Sequence, residues 1–86
     1  MNSIEAETLA LKALAFLAHS PEEIDRFVTL SGVAPADLRE RAEEPEILAA
    51  VLDFLLTDDT RVTAFCEEAG IDPRELHAAR RALPGA

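Results

Sequence analysis

The sequence predicts an all-α protein, a compact domain of six short helices. Three observations carry that expectation. Of the 86 residues, 49% are hydrophobic, and that set is dominated by Ala and Leu, which lose little side-chain freedom in a helix. β-Branched residues do not cluster into strand-like runs. Gly and Pro fall where apolar segments end and begin, which leaves short connections. The length suits a single domain over residues 1–86, near the lower limit for chains that fold without disulfides or a metal.

Helix 1 is expected from about Ser3 to Ala18. Asn2 followed by Glu5 resembles a capping box. Ile4, Leu9, Leu11, Leu14, Phe16 and Leu17, with alanines between them, give a broad apolar surface fit for a central helix. Ser20-Pro21-Glu22-Glu23 supplies a capping hydroxyl, a proline at the first helical position and an acid at the third, opening helix 2. Its inward face is expected to hold Ile24, Phe27, Val28 and Leu30, and Gly32 ends it where a left-handed residue is needed.

Pro35 opens helix 3, with Leu38 and Ala42 expected inward. Pro45, between Glu44 and Glu46, opens helix 4, where acids meet the positive end of the helix dipole. Ile47, Leu48, Val51, Leu52, Phe54, Leu55 and Leu56 make it the most apolar segment, interrupted only by Asp53. Asp58 or Asp59 caps helix 5, whose inner face should include Val62, Phe65, Cys66 and Ala69 before Gly70 stops it. Asp72-Pro73-Arg74-Glu75 is a full N-terminal box for helix 6, which is expected to run to about Leu83.

The corner from Phe27 to Leu38 recurs from Phe65 to Leu76. Phe27, Gly32, Pro35 and Leu38 match Phe65, Gly70, Pro73 and Leu76, an offset of 38 residues. The same offset aligns residues 4–42 with 42–80 and adds Glu5/Glu43, Leu14/Leu52, Phe16/Phe54 and Leu17/Leu55. Chance alone would give about three identities over such a window, so the pairing of all four phenylalanines with one another is the stronger point. The expectation is two pseudo-symmetric three-helix units, helices 1–3 and 4–6, meeting through helices 1 and 4.

Seventeen acidic against 8 basic residues give a net charge of −9, which disfavours nucleic acid and anionic membranes as partners. Cys66 alone cannot close an internal disulfide, and Met1-Asn2-Ser3-Ile4-Glu5 lacks the basic start of a signal peptide. No apolar run approaches the roughly 20 residues that span a bilayer. The expected location is the cytoplasm.

Catalytic chemistry finds little footing. Cys66 falls on the apolar face of helix 5, where burial disfavours the reactive thiolate. His19 sits at the end of helix 1, a favourable place for an imidazolium against the dipole. No tight Cys/His spacing points to a metal, no Gly-rich loop cradles a phosphate, and no cofactor is expected. Neither is an enzyme. One sharper pattern remains: Cys66, Gly70 and Leu76 fall at helix-turn-helix spacing, with Arg74, His77, Arg80 and Arg81 on one face of helix 6. Helix 6 is therefore the alternative, a DNA-binding one, opposed by the overall charge and by Glu67 and Glu68 on helix 5.

At residues 11–18 (Leu-Lys-Ala-Leu-Ala-Phe-Leu-Ala), at Phe27 to Leu38 and at 51–56 (Val-Leu-Asp-Phe-Leu-Leu), the chain resembles the bacterial proteins grouped as domain of unknown function number 3572. The resemblance covers nearly the whole chain. It implies a small all-α bacterial protein with no assigned activity and supplies no catalytic residues. The function expected from the residues themselves is binding to another protein, or self-association, motivated by the apolar excess on helices 1 and 4.

Overall fold

The computed structural model describes residues 1–84. Six helices account for the fold and, among the described residues, there is no strand: α1 (Ser3–Ala18), α2 (Pro21–Ser31), α3 (Pro35–Glu40), α4 (Pro45–Leu56), α5 (Asp59–Ala69) and α6 (Pro73–Arg81). The starts follow local capping chemistry. Asn2 Oδ1 accepts from the Glu5 N–H at 2.8 Å, Ser20 Oγ from the Glu23 N–H at 3.4 Å, and Asp58 Oδ1 from the Thr60 N–H at 2.8 Å. At α6 the reciprocal box is complete, with Glu75 accepting from the Asp72 N–H at 3.0 Å. Proline occupies the first turn of α2, α3, α4 and α6.

The stops at α2 and α5 are alike. Gly32 (φ 77°) and Gly70 (φ 69°) are left-handed, and their N–H groups reach back to the carbonyls of Val28 and Cys66. Three-residue connections follow, and Pro35 and Pro73 restart the chain.

α1 and α4 pack against each other more extensively than any other pair, and each also touches α2, α5 and α6. The core lies along that contact: Leu9, Ala13 and Leu17 meet Leu48, Val51, Leu52 and Leu55, with Phe27, Phe65 and Leu76 sealing the sides. Alanines at positions 6, 10 and 13 of α1 are fully buried, so they let neighbouring helices approach closely. Burying side chains the size of Phe27 or Leu52 stabilises by roughly 1.5–3 kcal/mol each.

Four expectations need correction. Leu30 is 73% exposed, because it stands about 60° round the helix from Phe27 on the side away from Ile24 and Val28, past the edge of the buried stripe. Ile4 (74% exposed) and Leu11 lie on the solvent side of α1, whose buried line is instead Ala6, Leu9, Ala10, Ala13 and Leu17. α3 ends at Glu40, so Ala42 sits in a turn rather than on the helix; the Glu44 N–H bonds to the Arg41 carbonyl at 3.0 Å and closes that turn. α6 ends at Arg81, with Ala82 as its C-cap, short of Leu83. The apolar run of α4, by contrast, is internal from Ile47 to Leu55 apart from half-buried Ala50 and exposed Asp53.

Candidate functional site

Of the four basic residues singled out on α6, Arg80 is drawn away from the open face, whereas Arg74, His77 and Arg81 stay exposed. Arg74 folds back on its own N-cap, its Nε and Nη2 donating to the Asp72 carboxylate at 3.2 and 3.1 Å. That contact, reinforced by the Arg74 backbone N–H, holds the Asp72 carboxyl below its usual value. Arg80 crosses to α4, its Nε 2.6 Å from Asp53 Oδ1, and donates further to the carbonyls of Leu83 and Pro84, leaving its side chain 13% exposed. His77 and Arg81 remain exposed.

The corner residues do what a helix–Gly–Pro–helix turn requires. Phe27, Phe65 and Leu76 are buried and Leu38 is half-buried, pinning the arms of each turn to the core. Cys66 is buried, and burial pushes its thiol up, with the Asp72 and Glu75 carboxylates adding to the effect. Among the described residues no group of His, Cys, Asp and Glu is arranged to hold a metal ion.

Sequence reasoning missed a trough running along the solvent side of α1. At one end Ile4, Thr8 and Lys12 face Ile71 and Glu75 at the α5–α6 corner. In the middle Lys12, Ala15, Phe16 and His19 face Phe65, Glu68 and Ala69 of α5. At the far end Phe16, His19 and Glu68 continue into a hollow of about 380 Å³ bounded by Glu23, Asp58, Arg61 and Ala64. Phe16 and Phe65 pack edge to face in its floor, centroids 5.4 Å apart at 62°. Arg61 closes the far end: its Nε donates to Glu23 Oε2 at 2.9 Å, and its guanidinium lies 4.1 Å from the centre of the Phe54 ring.

The middle of this trough has a counterpart. Adding 38 to Lys12, Ala15, Phe16 and His19 gives Ala50, Asp53, Phe54 and Thr57; subtracting it from Glu68 and Ala69 gives Leu30 and Ser31. Those six residues line a hollow of about 450 Å³ between α2 and α4. Phe54 of that lining packs edge to face on buried Phe27, with centroids 5.6 Å apart at 70°. The chemistry differs: Asp53 is engaged by Arg80, and the Thr57 hydroxyl donates to the Phe54 carbonyl at 2.7 Å.

A family model described as a protein of unknown function, DUF3572, matches residues 3–86. The chain belongs to the DUF3572 family. The resemblance read from the helix and corner segments thus holds over almost the whole chain. No curated protein and no solved structure gives a significant match. Because the DUF3572 match runs from α1 through α6, it takes in both corners, both hollows and the full trough. The trough was hidden in the sequence because it joins residues of α1 to residues of α5 about 50 positions away. The signal that could have found it was the list of mismatched positions in the self-alignment, Lys12/Ala50, Ala15/Asp53, His19/Thr57 and Glu68/Leu30.

Proposed function

We propose that this DUF3572 protein is a small non-enzymatic interaction module of the bacterial cytoplasm, built from two related three-helix units and docking another protein on the outer side of α1. One observation carries the reading. Among the described residues, three of the four exposed large hydrophobic side chains, Met1, Ile4 and Leu11, lie on or just before α1, and the fourth is Leu30. Grouped apolar side chains facing water mark interaction surfaces more than scattered ones do. The apolar residues of α4 lend no support, since they form the core.

Relatedness of the two units is supported by their boundaries. α1 and α4 end at Ala18 and Leu56, α2 and α5 span Pro21–Ser31 and Asp59–Ala69, and α3 and α6 begin at Pro35 and Pro73, each pair offset by 38. A lone buried thiol fits a reducing compartment. The DNA-binding alternative loses Arg80 to its ion pair with Asp53, while Arg74 stays 91% exposed.

The test is affinity capture beside sedimentation, comparing wild type with the double variant Ile4→Glu, Leu11→Glu. The reading expects the wild type to retain a partner or self-associate and the folded variant to lose that association. Two monomeric proteins that retain nothing would refute it.

A further inference from the structure

We infer that the trough between α1 and α5 accepts a cationic amphipathic helix of about four turns. The inference rests on the interaction-module reading and adds the surface and the chemistry of its occupant. The trough follows α1 from Ile4 to His19, so its length is close to that of the 16-residue helix itself, about 24 Å at 1.5 Å per residue. Its floor is apolar and aromatic, made by Phe16, Phe65 and Ile71, with small Ala15, Ala64 and Ala69 leaving room for a helix to lie close.

Charge selects the occupant. Five carboxylates, Glu5, Glu23, Asp58, Glu68 and Glu75, stand along the trough against two cations, Lys12 and Arg61. Arg61 is already committed to Glu23, and Lys12 therefore sets the register, facing a neutral or acidic position of the incoming helix. Glu5 and Glu68 hold no cation of their own among the described residues. A second copy of this chain is disfavoured as occupant, because its net charge of −9 would bring like charge onto acidic banks. The counterpart hollow between α2 and α4 lacks this character: Glu68 is replaced there by Leu30, and its one carboxylate, Asp53, is neutralised by Arg80.

The experiment titrates the full chain with a four-turn peptide of leucine and lysine in amphipathic order, read by peptide fluorescence and by backbone amide shifts. A scrambled peptide of the same composition and an order-preserving leucine–glutamate peptide serve as comparisons. The amphipathic lysine peptide should bind and shift amides of α1 and α5. Ala15→Arg with Glu68→Lys should weaken it by about tenfold or more, whereas Ala36→Arg with Glu40→Lys, an equal charge change outside the trough, should not. If the scrambled peptide binds equally well, the contact is mere charge and the inference fails. If the glutamate peptide binds instead, or self-association fills the trough, the cationic occupant is wrong while the interaction reading stands. If no peptide and no second copy shifts the trough amides, the trough is not a docking surface at all.

Discussion

Glu23 and Arg61 are bonded to each other at 2.9 Å and stand 38 residues apart, the offset at which the two glycine corners match in sequence. Residues related by a two-fold can touch only at its axis, so a contact between equivalent positions locates where such an axis would pass. The pair is partly buried, with the Arg61 side chain 11% exposed. Arg61→Ala is expected to cost about 1–2 kcal/mol, since it removes the ion pair, the contact with Phe54 and the aliphatic packing together. If the two surroundings are equivalent, the exchange Glu23→Arg with Arg61→Glu should recover much of that loss, since it restores the ion pair in reverse and sets the arginine at the hollow that Phe16 also lines. Urea unfolding of the singles and the exchange gives the comparison. An exchange no better than Arg61→Ala would argue against equivalent surroundings.

The two glycine corners should respond alike to substitution. A methyl group added at Gly32 or Gly70 meets nothing within 4 Å, so the penalty is confined to the left-handed backbone. Ala at either place should cost about 1–2 kcal/mol and Asn less, measured by thermal or urea unfolding. A loss beyond about 3 kcal/mol would require a clash that the open space does not contain.

Acid sensitivity should have a traceable part at the start of α6. The Asp72 carboxyl is held below its ordinary value, first by the Arg74 side chain and then by the Arg74 backbone N–H. A folded-state pKa below the unfolded one contributes stability that is fully present above the unfolded value and lost as pH falls through the folded value. Glu44 beside Arg41 carries the same sign. Asp72→Asn keeps a good N-cap but loses the carboxylate's pairing with Arg74, so stability should fall slightly near neutrality, stay close to wild type in acid, and show a shallower acid fall. Unfolding midpoints measured from about pH 6 down to about pH 3 test this, and an unchanged slope would assign acid loss to other carboxylates.

The sequence revealed what local chemistry controls. Ser20, Asp58 and Asp72 announce helix starts because a cap is satisfied within three residues, and Gly32 and Gly70 announce stops because few other residues accept a positive φ. Burial along α5 followed from period alone. Leu30 and Ile4 escaped because apolar character does not say on which side of a stripe a residue falls. Glu23 looked like half of a capping box, yet its carboxylate goes to Arg61, and Arg80 looked like part of a free basic face, yet it crosses to Asp53. In both cases a long side chain chose a partner that only the packed fold brings within reach.

The claim at the centre of this account is that the outer face of α1 serves a partner rather than the fold. Urea unfolding of Ile4→Ser with Leu11→Ser, set beside Leu9→Ala, tests it most directly. The account predicts that the outer pair leaves stability within about 0.5 kcal/mol of wild type while Leu9→Ala costs about 2–5 kcal/mol. A loss in the outer pair comparable to that of Leu9→Ala would show that these side chains hold the domain together, and would contradict it.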